Sequence, residues 1–408
     1  MRGGMIAVVG GSIAGCAIAT AAARAGAGEV VVLERTRGRL QDRGLGLCIH
    51  DERAVELGAS GALPEGIAAH PLRQRRWVVR DDAHGTGGRV IWEQPFPFHS
   101  YHWGLLWQGL RESVPDSVVY RQGETVTGVE ESGTGTPGAG VRLANGSVER
   151  YDLVVGADGY RSVVRAALCP DSRPQYAGYV CWRGNVDAGR LADLGSVADS
   201  APEAVTTVCF PGGSCVVYRI PGPDGPRVNW VLYAAPPQDG GLRLDDPTSF
   251  PAGGLTPELA GHLAALLDRE FPPYWGRALA LTAPADTFVQ PIYDMETPRA
   301  AAGRLVLAGD AASVVRPHNT SGAAKALQDA TALADGWRRC GSFEELLRGY
   351  EETRGAAGRE LVALARRLGR AQVERTPPWA GMNGGEMEVW WRGQLGPATG
   401  IGGRAMTP

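Results

Sequence analysis

The chain has 408 residues, too many for a single ordinary core, so two domains are expected. Hydrophobic residues make up 44% and charged residues 21%, which is typical of a folded globular protein rather than a disordered one. The formal net charge of −3 argues against nucleic acid as a partner, because a polyanion calls for a strongly basic surface.

Cysteine and histidine positions argue against two further kinds of site. The seven cysteines form no C-x-x-C pair, which favours reduced thiols and a cytoplasmic protein. The seven histidines lack metal-ligand spacing, so no metal is predicted.

No membrane segment is expected either, because the first strand leaves no room for a signal peptide and the apolar run 14–23 is too short to span a bilayer.

The first elements form a strand, a helix and a second strand. Residues 5–10 and 30–34 are continuous apolar runs, and the Ala-rich stretch 14–26 between them has helical character. A unit of this size is what a parallel crossover requires. We therefore predict a parallel sheet at the start of the chain.

The turn inside this unit is a phosphate-binding candidate. Gly10 and Gly15 fill the first and third glycine positions of G-x-G-x-x-G, and Ser12 stands at the second. A helix N-terminus offers unpaired N–H groups to a phosphate, and Glu34, ending the second strand, can accept both hydroxyls of a ribose. These residues predict a nucleotide site, while a glycine turn kept only for packing is the alternative.

The rest of the chain alternates between short strands and helices. Further strands are predicted at 73–80, 88–92, 117–120, 124–130, 140–143, 147–150 and 152–159, and helices at 103–114, 256–269 and 343–371. Between 176 and 234, alternating segments separated by Pro/Gly turns predict an antiparallel sheet. The tail from 376 has no clear period and could cover a pocket or form the contact of a homodimer.

Two further motifs narrow the choice of nucleotide. The segment DLVVGADGYRSVVR contains Asp158 and Arg165, and GRLVLAGDAASVVRPHNTSGAAKALQDA contains Asp310, Pro317 and Gly322. Taken alone, Asp158 could stand in a tight turn only, and Asp310 could be only a helix cap.

With the three motifs in order, the chain resembles the flavoprotein aromatic hydroxylases of the p-hydroxybenzoate hydroxylase type, the group A FAD monooxygenases. The resemblance spans most of residues 5–355. It implies an α/β fold, with a Rossmann-like FAD-binding domain (GR2-type) interleaved with a mostly antiparallel β-sheet substrate domain, plus a C-terminal helix. The implied ranges are 1–72, 100–172 and 285–340 for the FAD-binding domain, 73–99 and 173–284 for the substrate domain, and 341–408 for the helix and tail.

The resemblance also implies which residues contact FAD. They are Gly10, Ser12, Ile13, Ala14, Gly15, Glu34, Arg35, Arg43, Leu47, Val126, Asp158, Asp310, Pro317, Ser321, Gly322 and Ala323. Among them, Glu34 would hold the adenosine ribose, Asp310 would bind the ribityl chain, and the 317–324 turn would face the flavin N1–C2=O edge. The chain departs from the family at Thr320, where many relatives carry Gly.

The implied activity is that of an FAD-dependent monooxygenase. It would use NAD(P)H and O2 to hydroxylate an electron-rich aromatic or N-heteroaromatic substrate through a flavin C4a-hydroperoxide. Only one G-x-[GS]-x-x-G element is present, so NADPH or NADH would be a transient co-substrate, docking near Asp158 and Arg165. The alternatives are a flavin-dependent halogenase, which usually carries a W-x-W-x-I-P segment absent here, and a non-hydroxylating FAD-fold protein.

Pocket residues are predicted from segments that would face the flavin. The candidates for catalysis are His50, Arg183, Tyr218, His318 and Lys325. Trp182 and Arg183 lie on opposite faces of one strand, so strand geometry allows only one of them to face the pocket. Tyr218 and Trp182 could instead be sheet core, and the two histidines could be surface or internally satisfied residues.

Lys325, the only lysine, lies in the first turn of a predicted helix, where the dipole disfavours a cation. An anionic flavin edge or substrate would offset that cost. The alternative is a solvated surface lysine.

Overall fold

The computed structural model describes residues 3–38, 45–131, 138–195, 201–238, 241–245, 254–395 and 402. Arg43, one of the implied FAD contacts, lies outside these described residues. The strands are, in chain order, β1 (Met5–Val9), β2 (Glu29–Glu34), β3 (Gly46–His50), β4 (Ala69–Val79), β5 (Arg89–His102), β6 (Val118–Gln122), β7 (Val126–Glu131), β8 (Ala139–Leu143), β9 (Val148–Tyr151), β10 (Leu153–Gly156), β11 (Gln175–Asp187), β12 (Ala204–Phe210), β13 (Gly213–Ile220), β14 (Arg227–Ala234), β15 (Phe288–Glu296), β16 (Ala301–Ala302), β17 (Leu305–Leu307) and β18 (Ser313–Val314).

The α-helices are, in chain order, α1 (Ile13–Arg24), α2 (Asp51–Ala59), α3 (Trp103–Glu112), α4 (Val163–Leu168), α5 (Pro257–Glu270), α6 (Pro273–Ala280), α7 (Gly322–Arg339), α8 (Phe343–Tyr350), α9 (Ala356–Gly369) and α10 (Gly384–Gln394). Among these described helices, none combines the length and the apolar character that crossing a membrane requires.

A six-stranded sheet contains the predicted β-α-β unit. Its order is β16-β17-β10-β1-β2-β6, and all neighbouring pairs are parallel except β16 with β17. Apolar residues of β1 and β2 are buried on both faces, as a covered parallel sheet requires. Helices α1 and α7 pack on one face, and the small sheet β7-β8-β9 with α4 covers the other.

A nine-stranded sheet lies in the second part of the structure, in the order β18-β15-β11-β14-β13-β12-β4-β5-β3. Its pairs are antiparallel except β12 with β4. One face packs on α5 and α6. Strands β3 and β15, which fall within the predicted FAD ranges, are hydrogen-bonded into this sheet, and the domain boundaries themselves stay a prediction.

The C-terminal part is more structured than the sequence indicates. The helix predicted at 343–371 is formed by α8 and α9, joined by the wider helical turn Glu351–Gly355. The tail contains α10, whose Met387 and Trp391 are buried against aromatic residues of β4 and β5. This helix was not predicted, because its apolar residues cluster as a Trp pair instead of recurring with a helical period.

Candidate active site

The turn between β1 and α1 accepts only glycine at its key positions. Gly10 has φ of +99°, and a Cβ added there would lie 2.5 Å from the carbonyl oxygen of Ala157. A Cβ on Gly15 would lie 1.8 Å from the Gly10 oxygen. Ser12 is the N-cap of α1, and its side chain makes no capping hydrogen bond. The first-turn N–H groups and the Ser12 hydroxyl are therefore placed as in a phosphate-binding helix start.

Glu34 is buried beside this turn. Its Oε2 accepts from the Gly11 N–H at 2.7 Å and its Oε1 from the Thr36 N–H at 2.7 Å. The Gly11 carbonyl accepts from the Trp107 Nε1–H and the Tyr120 hydroxyl, each at 2.9 Å. Because each carboxylate oxygen has two acceptor positions, Glu34 retains capacity for ribose hydroxyls.

The three sequence motifs meet in space. A Cβ on Gly309 would lie 2.9 Å from the Cβ of Ala14 in the first turn of α1, so the third motif touches the first. Arg165 of the second motif donates to the carbonyl oxygens of Ala311 at 3.1 Å and Asp310 at 3.5 Å. The glycine turn before α1, the second motif with Asp158 and the third motif with Asp310 therefore line one cradle.

The Asp310 carboxylate is available within this cradle. It makes no hydrogen bond to any described residue, and the side chain reaches solvent. The surrounding protein raises its pKa through desolvation, while the charges of Lys325 and Arg165 act in the opposite direction. The N-cap of its short helical turn is Ala308, so the helix-cap interpretation of Asp310 is wrong.

Asp158 has a structural role as well as an open acceptor. Its Oδ2 accepts from the Val163 N–H at 2.7 Å, and Gly159 has φ of +75°, so the tight turn is real. Its Oδ1 is buried without a partner among the described residues. Burial raises the pKa of this carboxyl above its usual value. An orphaned acceptor of this kind fits a bound ligand or water.

The turn predicted to face the flavin lies before α7. It forms the short helical turn Pro317–Asn319, and Thr320 follows with φ of +52°. A non-glycine residue in this region costs roughly 1–2 kcal/mol. Ser321 is the N-cap of α7 but donates its hydroxyl to the Asn319 carbonyl instead of capping. Helix α7, like α1, therefore begins with N–H groups that donate no hydrogen bond to the side chain of its N-cap residue.

The remaining predicted FAD contacts surround the cradle. Arg35 is exposed after β2, Leu47 is half-buried in β3, and Val126 is buried at the start of β7. Their contacts with FAD stay predictions.

One face of the nine-stranded sheet gathers polar and aromatic groups. Cys181 pairs with Tyr233 and Arg183 with Val231, while Tyr218 pairs across β13 and β14 with Asn229. Directly opposed residues share a face, so Arg183, Tyr218 and Tyr233 project to the same side. We call this the polar face. Trp182 projects to the other side and is core, with no exposed surface, which decides between Trp182 and Arg183.

His318 lies over the polar face. Its Nε2 is 2.8 Å from the hydroxyl of Tyr179, and its ring centroid is 4.1 Å from that of Tyr233. Burial, followed by the charges of Arg316 and Arg75, lowers the pKa of His318 to about 3. The structure therefore brings a neutral, internally satisfied imidazole to the site rather than a surface histidine.

Two predicted catalytic residues have other roles. His50 caps α2, accepting from the Glu52 N–H at 3.3 Å, and its ring packs edge-on against Phe98 with centroids 5.0 Å apart. Lys325 is only 2% exposed, so the surface interpretation is wrong. Its Nζ donates to the Gly309 carbonyl at 2.7 Å and to Asp329 at 3.1 Å, so its ammonium group is held by partners within the protein.

Sequence reasoning missed several residues of the polar face. Arg75 is buried, its guanidinium lies 4.1 Å from the centroid of the Trp77 ring, and its Nε donates to Thr207 at 2.8 Å. Asn229 is fully buried, and its Nδ2 has no partner among the described residues. The signal was present in the sequence, because Asn229 is a polar residue inside the apolar strand RVNWVLY.

Comparisons with known proteins agree with this geometry. A family profile described as "FAD binding domain" matches residues 276–365. The chain is 31% identical over 344 residues to 2,6-dihydroxypyridine 3-monooxygenase from Paenarthrobacter nicotinovorans, covering 81% of this chain and 82% of that protein. It is 30% identical over 377 residues to 3-amino-4-hydroxybenzoate 2-monooxygenase PtnB3 from Streptomyces platensis, covering 89% and 87%.

Solved structures show the same likeness. The 2,6-dihydroxypyridine-3-hydroxylase from Arthrobacter nicotinovorans superposes with a TM-score of 0.79 at 26% identity, covering 93% of this chain and 96% of that one. The G-x-S-x-x-G, YAGYVCWRG and RPH segments of this sequence resemble that hydroxylase as well. Klebsiella pneumoniae HpxO complexed with FAD and uric acid shares the fold, with a TM-score of 0.71 at 22% identity over 96% and 92% of the two chains.

The fold and the cradle define an FAD-dependent oxidoreductase. The chain belongs to the FAD-dependent aromatic hydroxylases, the group A flavoprotein monooxygenases. It is therefore a monooxygenase that uses FAD, NAD(P)H and O2 to hydroxylate an aromatic ring, and the halogenase and non-hydroxylating alternatives are set aside.

Proposed function

We propose that this enzyme hydroxylates a ring that already carries a hydroxyl group, either a hydroxypyridine or a hydroxybenzoate-like phenol, bound against the polar face. The names of the relatives support this class, since they act on 2,6-dihydroxypyridine and 3-amino-4-hydroxybenzoate. The structural observation that carries the proposal is the set of hydrogen-bond partners of Arg183. Among the described residues, it has no carboxylate partner, and its Nε donates to the Cys181 sulfur at 3.1 Å.

A half-buried guanidinium without a carboxylate is costly unless an anion joins it. The terminal nitrogens of Arg183 carry the donors that remain after Nε is used. They would hold the oxygen of a ring hydroxyl and favour its deprotonated form, since a nearby positive charge lowers the pKa of an acid. Loss of that proton makes the ring more electron-rich, which electrophilic hydroxylation requires.

Other groups on the polar face would orient the ring. Burial raises the pKa of Tyr218 well above its usual value, so its hydroxyl stays protonated and can donate. His318 stays neutral near pH 7, with its Nε2 facing Tyr179. Because its pKa is so low, His318 does not act as the base that accepts the substrate proton. We assign deprotonation, with release of the proton to solvent, to the electrostatic effect of Arg183, and orientation to Tyr218 and His318.

The cofactor fits the residues that the structure presents. Ser12 and the first turn of α1 would hold the pyrophosphate, Glu34 the ribose, Asp310 the ribityl chain, and the start of α7 the flavin edge. When bound, FAD supplies the redox chemistry that activates O2 with electrons from NAD(P)H. The protein would exclude water from the ring and fix the position of the substrate.

The test is a substrate screen with a matched pair of variants. Hydroxypyridines and aminohydroxybenzoates are added to the FAD-loaded enzyme, and stimulated NAD(P)H oxidation is read together with mass detection of a product carrying one added oxygen. Arg183→Gln should lower kcat/KM roughly 10- to 100-fold, because a charge-assisted hydrogen bond contributes about 1.5–3 kcal/mol.

The control is Arg76→Gln. Arg76 projects to the opposite face of the sheet and pairs with Glu93 at 2.8 Å, so its loss should leave turnover unchanged. Equal kcat/KM in the wild type and Arg183→Gln would refute the assignment. Failure of every hydroxylated ring to stimulate NAD(P)H oxidation would refute the substrate class.

We further propose that the protein forms a homodimer and that it is cytoplasmic. We also propose that its FAD-binding and substrate domains are divided at the boundaries predicted from the sequence. The reduced cysteines support the compartment. The predicted contact through the tail would include α10, where Val389 has 74% of its surface accessible. Light scattering of Val389→Glu against the wild type tests the dimer, which this variant should weaken.

A further inference from the structure

Lys325 holds both a carboxylate and a backbone carbonyl. Its Nζ donates to the Gly309 oxygen at 2.7 Å and lies 3.1 Å from Oδ2 of Asp329. The same Oδ2 accepts from the Gly309 N–H at 2.9 Å. The N–H and the C=O of one glycine are therefore both bound by side chains from a single face of α7.

Arg354 completes the cluster from the other side. Its Nε donates to Oδ1 of Asp329 at 2.7 Å, and its Nη2 lies 3.4 Å from the Lys325 carbonyl oxygen. Asp329 is 1% exposed. Burial acts to raise the pKa of Asp329, but Lys325 and Arg354 with the Gly309 N–H outweigh it and the pKa is lowered. The carboxylate is ionised, and both of its oxygens have partners within the protein.

Gly309, which this cluster holds, directly precedes Asp310 of the cradle. Gly309 has φ of +57°, a conformation available mainly to glycine, and glycine is the most mobile residue when nothing restrains it. Its neighbour Asp310 carries the free carboxylate of the cradle, and Ala14 of the first motif lies directly against Gly309. Restraint of the Gly309 peptide groups therefore restrains the direction in which Asp310 projects.

We infer that Lys325 is a positioning residue for FAD: acting through the Gly309 carbonyl, and together with Asp329 and Arg354, it sets the orientation of Asp310 in the cradle. Its effect is on cofactor binding and is independent of which aromatic substrate the enzyme uses. A lysine suits this place because a compact ammonium can donate to a carbonyl and a carboxylate at once.

The experiment compares FAD affinity with protein stability. Flavin-free protein is titrated with FAD, and the dissociation constant is read from the quenching of flavin fluorescence. Thermal melting of the same flavin-free samples gives the stability. Lys325→Met should weaken FAD binding roughly 10- to 100-fold, the equivalent of one lost charge-assisted hydrogen bond. The melting temperature should change less, because Asp329 keeps Arg354 and the Gly309 N–H as partners.

Arg354→Met separates stability from positioning. It removes a partner of the buried Asp329 carboxylate, so the melting temperature should fall, while the Lys325 bond to the Gly309 carbonyl stays and FAD affinity should change less than in Lys325→Met. If Lys325→Met does not fold, Lys325→Gln, which keeps a polar group in the buried site, carries the comparison with the wild type. Arg338→Met is the control, since Arg338 lies in the last turn of the same helix and pairs with Asp335 at 3.2 Å on the surface.

Two outcomes would overturn the inference. One is wild-type FAD affinity in Lys325→Met. The other is a loss of FAD affinity in Arg354→Met as large as that in Lys325→Met, in step with its loss of stability, which would make the cluster a folding element only. The flavin absorption spectrum of the loaded variants gives a further readout, because a displaced flavin changes its resolved visible band whereas a purely structural loss changes only occupancy.

Discussion

The imidazole of His318 and the phenol of Tyr179 are joined by a hydrogen bond of 2.8 Å that ties the turn before α7 to the nine-stranded sheet. Both residues are buried, and Arg316 lies over the ring of Tyr179 at 5.5 Å. The turn is predicted to face the flavin, and the sheet carries the polar face. This bond therefore links the turn predicted to face the flavin with the surface proposed to bind the substrate.

Tyr179→Phe should loosen that link. Removing a neutral hydrogen bond costs about 1 kcal/mol, so the melting temperature should fall slightly. The larger expected effect is on the fraction of NAD(P)H oxidised that yields hydroxylated product, measured against peroxide release. Tyr176→Phe is the control, because Tyr176 lies on the same strand and its hydroxyl has no partner among the described residues. If Tyr179→Phe yields the same fraction of hydroxylated product per NAD(P)H oxidised as the wild type, the link between the turn and the sheet has no role in hydroxylation.

The low pKa of His318 predicts a loss of stability in acid. In the folded protein the pKa is about 3, lowered by burial and the nearby arginines. An unfolded histidine titrates near 6.5, so below that pH the unfolded chain binds a proton that the folded chain refuses. Stability is full above about pH 6.5 and declines toward pH 3, by about 2 kcal/mol at pH 5. Chemical denaturation at pH 7 and pH 5 measures this loss, which His318→Gln should reduce.

Glu34→Ala should weaken FAD retention. The change removes an acceptor from the Gly11 N–H and from the predicted ribose contact, so we expect a roughly 10- to 100-fold rise in the FAD dissociation constant. Glu29→Ala, at the exposed start of the same strand, is the matched control. Recovery of a yellow Glu34→Ala protein with wild-type affinity would contradict the assignment, as would release of FMN instead of FAD by the wild type.

Asp310→Ala should displace or weaken the flavin. The carboxylate is unpartnered in the described structure and belongs to the motif that lines the cradle. Its loss should therefore lower flavin occupancy more than it lowers the melting temperature of the flavin-free protein. Any flavin that binds should oxidise NAD(P)H slowly or release peroxide. Asp310→Asn keeps an acceptor oxygen and should lie between the wild type and Asp310→Ala. Wild-type flavin affinity in both variants would leave Asp310 without a role in binding.

Lys325 and Trp182 show which features of the site follow from sequence patterns and which depend on packing. The opposite faces of Trp182 and Arg183 followed from strand alternation, but which face is core depended on the helices α5 and α6 packed on one side. The i, i+4 spacing of Lys325 and Asp329 was visible in the sequence. Whether that helix face is buried, and that Gly309 lies against it, depended on packing between distant segments.

The motifs of the chain were enough to predict the family, the cofactor and the backbone of the cradle, because tight glycine turns, helix starts and buried strands are specified by neighbouring residues. The positive φ of Gly10 and the uncapped start of α1 are local consequences of that kind. The partners of the ionisable groups, in contrast, depend on how distant segments pack together. His318 and Tyr179 are 139 residues apart in the chain, and burial, which sets the pKa of His318, exists only once the sheet and the turn have packed together.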